Sequence, residues 1–405
     1  MTTMSAPAHA ATNSNFRLFL ASQVASQSGT WLQFVAVAWL AAENTGSGTA
    51  LGWVAVATFG PLLVLGPWTG ALADRLDKHR LLMTTQLPMA AQAVALGALV
   101  LAGFTGMTVI YALTLIYGVV NAVESPVRRA IVAELVDQQS IPRAVSLTNV
   151  ITAMARVLGP LCAGALIATA DVGWCFIANA GCYLVALIVL LPITRSALRI
   201  TEPQRQSGAV RAGLRYAWRT PELRIALILT GVVSTFGFNH QVLIPLLAAK
   251  TFHGGAGTYT LLYTALSVGS VVGALTVARR REIALPVLIW AVVAFAAANG
   301  LLAVSPTLAV AAGASFAAGA TALLFITASV TLLQQRCAPE MRGRVMALFA
   351  MVVVGGIPVG APIVGAIAEF AGPRGAVAAG SVAALAAAAC VARHLKSRNR
   401  IGAIR

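Results

Sequence analysis

The stretch GALADRLDKHRLL, Gly70 to Leu82, packs six charged or titratable side chains into the seven positions from Asp74 to Arg80. The rest of the chain makes that density conspicuous: only 10% of its 405 residues are Asp, Glu, Lys or Arg, while 59% are hydrophobic. The mean hydropathy is +0.84. A soluble domain carries roughly a quarter of its residues charged, so a chain this poor in charge is solvated by lipid. On either side of the island the sequence is apolar for about 20 residues. That is the length at which a helix crosses a hydrocarbon core of roughly 30 Å.

The same alternation runs along the whole chain. Apolar runs begin near Phe16, Ala50, Leu81, Met107, Val145, Trp174, Leu223, Tyr259, Ile283, Thr307, Val345 and Ala376. None shows the period-two pattern of a membrane barrel, and an open sheet facing lipid leaves its backbone unsatisfied. The expected fold is an all-α membrane protein with twelve transmembrane helices. The first run follows a short polar leader and reaches about Ala42 with no small-residue cleavage site, so it reads as a retained helix. Cys162, Cys175, Cys182, Cys337 and Cys390 are scattered without a CxxC spacing and read as packing residues. No metal or cofactor is expected.

A net charge of +16 admits a nucleic-acid reading, but the placement of the charges points to topology. With the N-terminus in the cytoplasm, alternate loops hold 25 of the 28 Lys and Arg residues; Lys250 and Arg374 fall outside and Arg156 lies within a span. Both termini are expected in the cytoplasm. The basic tail with Arg393, Lys396, Arg398 and Arg400 needs no partner beyond anionic lipid headgroups. Nucleic acid is not expected as a partner.

The longest polar stretch, residues 194–222, carries Arg195, Arg199, Arg205, Arg211, Arg215 and Arg219 at mid-chain. It divides the sequence into an N-terminal six-helix bundle (1–193), a cytoplasmic linker (194–222) and a C-terminal six-helix bundle with the basic tail (223–405). GALAD at Gly70 recurs as GALTV at Gly273, and AVSL at Ala144 is echoed by VMAL at Val345, both at offsets close to 200 residues. Two pseudo-symmetric six-helix bundles are expected, with a site between them near the midplane.

GALADRLDKHR resembles the loop between helices two and three of the major facilitator superfamily. SGTWLQFVAVAWL, TGSGTALG, ESPVRRAIVAELV and ARVLGPLCAGALIA are similar to its drug and siderophore exporter branch, which includes enterobactin-exporter-like and macrolide-efflux-like proteins. Gly70 lacks a Cβ and is expected to let helix two approach a neighbour closely. The resemblance implies that Asp74 meets the N-terminus of helix eleven near Gly343, where free N–H groups favour an anion. Arg75 and Arg80 would brace this cytoplasmic latch. Lys78, His79 and Arg80 also read as solvated positive-inside anchors. The counterpart of Asp74 in the second half is Val277, so the clamp is expected on one side only.

GPLCAG, with Gly159, Pro160 and Gly164, resembles the antiporter motif of the superfamily, with Ala163 where a glycine is usual; small-residue packing is the alternative. Arg156 costs roughly 3 kcal/mol at mid-span by insertion scales, so it is expected to face a cavity or an acid. Glu124 is the carboxylate clearly within a span, with Arg128 four residues on. Glu124 with Arg156 reads as a proton-coupling pair or a static ion pair. His240, between Asn239 and Gln241, reads as a proton carrier or a neutral hydrogen-bonded ring.

In the superfamily it resembles, helices one, four, seven and ten line the cavity. Here they carry Gln23, Gln27, Trp31 and Gln33; Tyr111, Tyr117 and Asn121; Asn239, His240 and Gln241; and Thr321, Phe325 and Thr327. Amides and aromatics without dense charge suit an amphipathic, partly aromatic ligand. The expected function is proton-driven efflux of a siderophore or drug-like small molecule by alternating access, from a monomer in the bacterial inner membrane. A broad multidrug pump of macrolide or tetracycline type is the alternative, and a non-transporting sensor of the same fold a third reading. No Walker loop, HExxH, paired carboxylates or Ser-His-Asp set suggests an enzyme.

Overall fold

The computed structural model describes residues 6–193, 209–277 and 283–402. Among them there is no strand. The helices are α1 (Ala6–Thr45), α2 (Gly48–Arg75), α3 (Lys78–Leu101), α4 (Met107–Leu135), α5 (Ile141–Thr169), α6 (Val172–Leu190), α7 (Ala209–Arg219), α8 (Pro221–Val232), α9 (His240–Leu246), α10 (Ala256–Val277), α11 (Leu285–Ala303), α12 (Leu308–Arg336) and α13 (Arg342–Gly402). Linker residues 194–208 and Arg279, Arg280 and Arg281 lie outside the described residues.

By length and composition, 10 segments among the described residues suffice to cross a bilayer. The last, Pro339–Leu395, has 57 residues, about three times what a hydrocarbon core requires. It turns back at Gly372, whose φ of 73° leaves the helical region, so α13 supplies two arms. Helix α1 falls outside the ten because the buried amides Gln23, Gln27 and Gln33 dilute its apolar content. With α1 and both arms the architecture accommodates twelve spans, in which α8 and α9 together form the seventh and α12 the tenth.

The charged island proves to be a helix junction. Asp77 is the N-cap of α3, its carboxylate accepting from the backbone N–H of Arg80 at 3.0 Å. Lys78 and His79 are not solvated anchors, contrary to expectation. Lys78 forms an ion pair with Glu134 of α4, both side chains about nine-tenths buried (11% and 9% exposed). His79 is 1% exposed and its Nε2 bonds the carbonyl of Leu190 at 2.9 Å. The first turn of α3 is thus tied to α4 and to the end of α6. Arg80 remains exposed beside Asp77.

The described residues form two compact units, one drawn from Met1–Leu40 and Gly60–Arg205, the other from Ala41–Phe59 and Gln206–Arg405. In the first, Phe19, Leu82, Val127, Ile131, Leu135 and Leu190 close a core where α1, α3, α4 and α6 meet. In the second, Leu229, Val233, Phe295, Phe325, Leu332 and Val345 form the core. The N-terminal part of α2, up to Phe59, belongs to this second unit, where Gly48 packs directly on the backbone of Gly365 and Gly52 on that of Ala361. Helix α10 crosses α12 at close range: a Cβ at Gly269 or Gly273 would overlap the carbonyl oxygen of Phe316 or Ala320. Small residues let backbones approach in this way where lipid supplies no hydrophobic drive. Gly70, the counterpart of Gly273, does not do so; a Cβ built there meets nothing within 4 Å among the described residues.

Candidate functional site

The seventh span, expected as one apolar helix, is broken in its middle. Helix α8 passes into a π turn, Val233–Gly237, and α9 restarts at His240 after the non-helical Phe238 and Asn239. A second π turn, Leu247–Thr251, follows Pro245, which has no N–H to donate. The break leaves carbonyls without helical partners, and Asn239 answers one of them: its Nδ2 donates to Thr235 O at 2.6 Å. Gly356 and Gly360 of α13 allow that helix to lie against Ser234 and Thr235, where a Cβ would overlap the chain. Broken helices recur at binding sites of membrane transporters because they bring backbone polarity to mid-span.

The break fixes His240 beside α11. Asn299 Nδ2 donates to Phe295 O at 3.0 Å, which turns its Oδ1 toward His240 Nε2 at 2.9 Å. Nε2 is therefore the protonated nitrogen. The ring lies edge-on to Phe295, centroids 6.2 Å apart, and is 6% exposed. Gln241 on the next position keeps a buried Nε2 for which no acceptor is placed.

In the first unit, Glu124 of α4 is 3% exposed and receives Arg128 Nε at 3.0 Å and 3.2 Å on its two oxygens. The charge matched to Glu124 thus comes from its own helix. Arg156 of α5 lies over the indole of Trp31 on α1, its guanidinium carbon 4.8 Å from the ring centroid. Gly159, one turn on, seats this contact: a Cβ there would stand 2.5 Å from Trp31 Cβ. The antiporter-like motif therefore includes the point where α5 crosses α1, with Gly159 and Pro160 buried and Gly164 partly so.

A polar ladder joins α1, α3 and α6 and was not singled out by sequence reasoning. Asn179 Nδ2 donates to Gln33 Oε1 at 2.7 Å, and Gln33 Nε2 to Gln92 Oε1 at 3.1 Å. Thr30 Oγ1 donates to Ser26 O, so the 3.0 Å contact with Tyr183 runs from the tyrosine hydroxyl. Gly29 admits Asn179, whose Oδ1 occupies the place of a Cβ. The spacing of Gln23, Gln27, Thr30 and Gln33, three or four residues apart on one face, was the available signal.

Of the other expected cavity residues, Gln23, Gln27 and Tyr117 are buried, while Trp31 and Asn121 are half-buried. Thr327 returns its hydroxyl to Leu323 O at 2.8 Å within α12. The side chains of Asp74 and Val277 lie outside the described residues, and Arg75 is exposed. Among the described residues no cluster of three His, Cys, Asp or Glu is placed to hold a metal.

Comparison with known proteins sets these features in context. The profile of the family described as "transmembrane secretion effector" matches residues 4–400. The staphyloferrin A transporter of Staphylococcus aureus is 29% identical over 265 residues, 65% of this chain and 64% of that protein. The enterobactin exporter EntS of Salmonella typhimurium is 26% identical over 307 residues, 75% of this chain and 73% of EntS. The match thus spans a little under two thirds of the first relative's length. Among solved structures, the nucleoside transporter NupG superposes with a TM-score of 0.75 at 13% identity, covering 94% of this chain and 99% of that one. A bacterial homolog of the human lysosomal transporter Spinster gives 0.69 at 15% identity over 93% and 94%. These likenesses establish a fold shared with solved transporters.

Proposed function

Because the chain belongs to the transmembrane secretion effector family of major facilitator transporters, we propose that it exports a siderophore or a similar amphipathic small molecule across the bacterial inner membrane. The observation that carries this reading is the pair of relatives named for siderophores, matched over 65% and 75% of this chain. Export proceeds by alternating access of two six-helix bundles, residues 1–193 and 223–405, joined by the linker 194–222, with both termini in the cytoplasm. The inward flow of protons drives it, with Glu124 as the first coupling residue and His240 as the second. Arg128 donates to both oxygens of Glu124 and holds that carboxyl against its own helix.

Directional polar groups for the substrate come from Asn239, His240 and Gln241 at the broken seventh span of the second unit and from the half-buried Trp31, Asn121 and Arg156 of the first. Asp74, with Arg75, Arg80 and Gly343, closes the cytoplasmic side. Asp74→Asn should slow transport and raise cytoplasmic cysteine accessibility, through a loss of about 0.5–2 kcal/mol at a helix terminus. Counterflow in proteoliposomes tests the function. Catecholate and hydroxamate siderophores are screened beside macrolides, tetracyclines and dyes. Saturable exchange of a siderophore is expected; exchange of none of these compounds by folded protein would overturn the reading.

A further inference from the structure

We infer that Glu369 is a gate residue of the outer face: its carboxylate completes the N-terminal cap of α2 and holds α2 to α13 in the state closed to the outside. This rests on the alternating-access reading above and adds a second latch, with the roles of the two helices exchanged. Helix α2 starts at Gly48, and the first turn of any helix leaves N–H groups without helical partners. Ser47 Oγ accepts from Ala50 N at 3.1 Å, and Thr45 Oγ1 accepts from Ser47 N at 3.0 Å. A capping box would carry an acid three residues after Ser47, where this sequence has Ala50. Glu369 of α13, 320 residues after Thr49, supplies the carboxylate instead: its Oε1 accepts from Thr49 N at 3.1 Å and from the hydroxyl of Ser47.

All of these contacts lie within the second unit, and close packing sets them. Gly48 and Gly365 meet where a Cβ on either would overlap the carbonyl oxygen of the other, and a Cβ at Gly52 would crowd that of Ala361. The two helices thus run antiparallel here, and Glu369 reaches the start of α2 three residues before α13 turns back at Gly372. Lys250 lies against Gly46, its Cε 3.3 Å from where a Cβ would stand, so a cation flanks the same junction. The arrangement inverts the Asp74 latch. There an acid near the end of α2 is expected at the start of α13; here an acid near the end of the first arm of α13 is bound at the start of α2. Thr49 and Asp74 are 25 positions apart and Gly343 and Glu369 are 26, about 38 Å of helix in each case, which puts the two latches at opposite membrane faces. Withdrawal of α13 would take the acceptor of Thr49 N with it, so the cap is whole only while this face is shut. Glu369 is therefore a positioning residue that biases which face is open.

The test is hydrogen–deuterium exchange of purified full-length protein in nanodiscs of phosphatidylethanolamine and phosphatidylglycerol, without substrate. Exchange is followed at the outer ends of α2 and the first arm of α13, residues 48–59 and 361–370, and at their inner ends, residues 70–76 and 342–350. Glu369→Ala should speed exchange at the outer ends about fivefold, the scale of one helix cap, and slow it at the inner ends, because the population moves from one open face to the other. Glu369→Gln keeps an acceptor oxygen without the charge and should give a smaller change of the same sign at both ends. Ser47→Ala removes the hydroxyl on the α2 side; it should reproduce the paired change and decides the matter if Glu369→Ala does not fold. Loss of a merely structural cap would loosen the first turn of α2 and leave the inner ends as they were. Unchanged exchange at the outer ends, or faster exchange there with unchanged inner ends, would overturn the gate. Siderophore counterflow by the wild type separates this from the transport reading. Flux together with a change confined to the outer ends sinks the gate alone, whereas paired changes without flux of any siderophore sink export and leave the gate standing.

Discussion

Replacing Glu124 by Gln removes the acid from a pair in which the carboxylate is 3% exposed and Arg128 20% exposed. Breaking a buried ion pair from one side costs about 3–5 kcal/mol, because the remaining charge stays desolvated. The residual exposure of Arg128 lets water relieve part of that cost, which places the expected loss near the low end, about 3 kcal/mol. At 1.4 kcal/mol per decade this lowers the folded-to-unfolded ratio somewhat more than a hundredfold. Glu124→Gln with Arg128→Gln leaves no stranded charge and should recover about 2 kcal/mol. Unfolding of the four proteins by SDS in mixed micelles measures the cycle. A coupling energy below about 0.5 kcal/mol would refute the claim that the two residues act as one unit. The double variant also tests coupling, since it should exchange substrate without a gradient yet fail to accumulate it in inside-out vesicles under a pH gradient. Full recovery of gradient-driven accumulation would exclude Glu124 as the proton carrier and pass that role to His240.

Three further substitutions probe the packing around the site. Asn299→Leu strands the Nε2–H of His240 and should cost about 1–3 kcal/mol in the same unfolding assay; His240→Phe in that background should restore part of it, and a neutral Asn299→Leu would disprove the bond. Gly159→Val drives a side chain into Trp31 and should cost about 1–3 kcal/mol with loss of monodisperse protein on gel filtration; unaltered stability would mean that α5 does not bear on α1 there. Asp77→Ala should cost about 1 kcal/mol through the lost cap of α3, while Asp77→Asn should retain most of it; equal losses would contradict the cap.

Much of this protein can be read from linear pattern because the bilayer imposes a length on every element. Runs of about 20 apolar residues, broken by charged islands such as Asp74 to Arg80, require helices and locate their ends. The spans expected to begin near Met107 and Trp174 appear as α4 and α6, which start at Met107 and Val172. The seventh span was not legible as broken. Its interruption depends on Gly356 and Gly360, more than a hundred residues away, which admit α13 close enough to support an irregular backbone. A propensity scale reads only neighbours along the chain and has no access to that support.

The same division holds for individual side chains. Sequence alone determined that this is a helical membrane protein, that Glu124 and Arg156 lie within spans and need compensation, and that His240 sits among amides, since each follows from composition and local order. For Glu124 the compensation is local, from Arg128 one helical turn on; for Arg156, Lys78 and His79 the partner was decided by tertiary structure. Arg128 grips Glu124, Arg156 turns to Trp31, and Lys78 and His79, outwardly surface anchors, are buried against Glu134 and Leu190. The physical reason is that a charge at a helix end or mid-span has only to find some opposing group within a few ångströms, and several candidates satisfy that demand in sequence. The choice among them is made by helix crossings, such as the contact of Gly159 with Trp31, that bring one face of a helix and not another within reach.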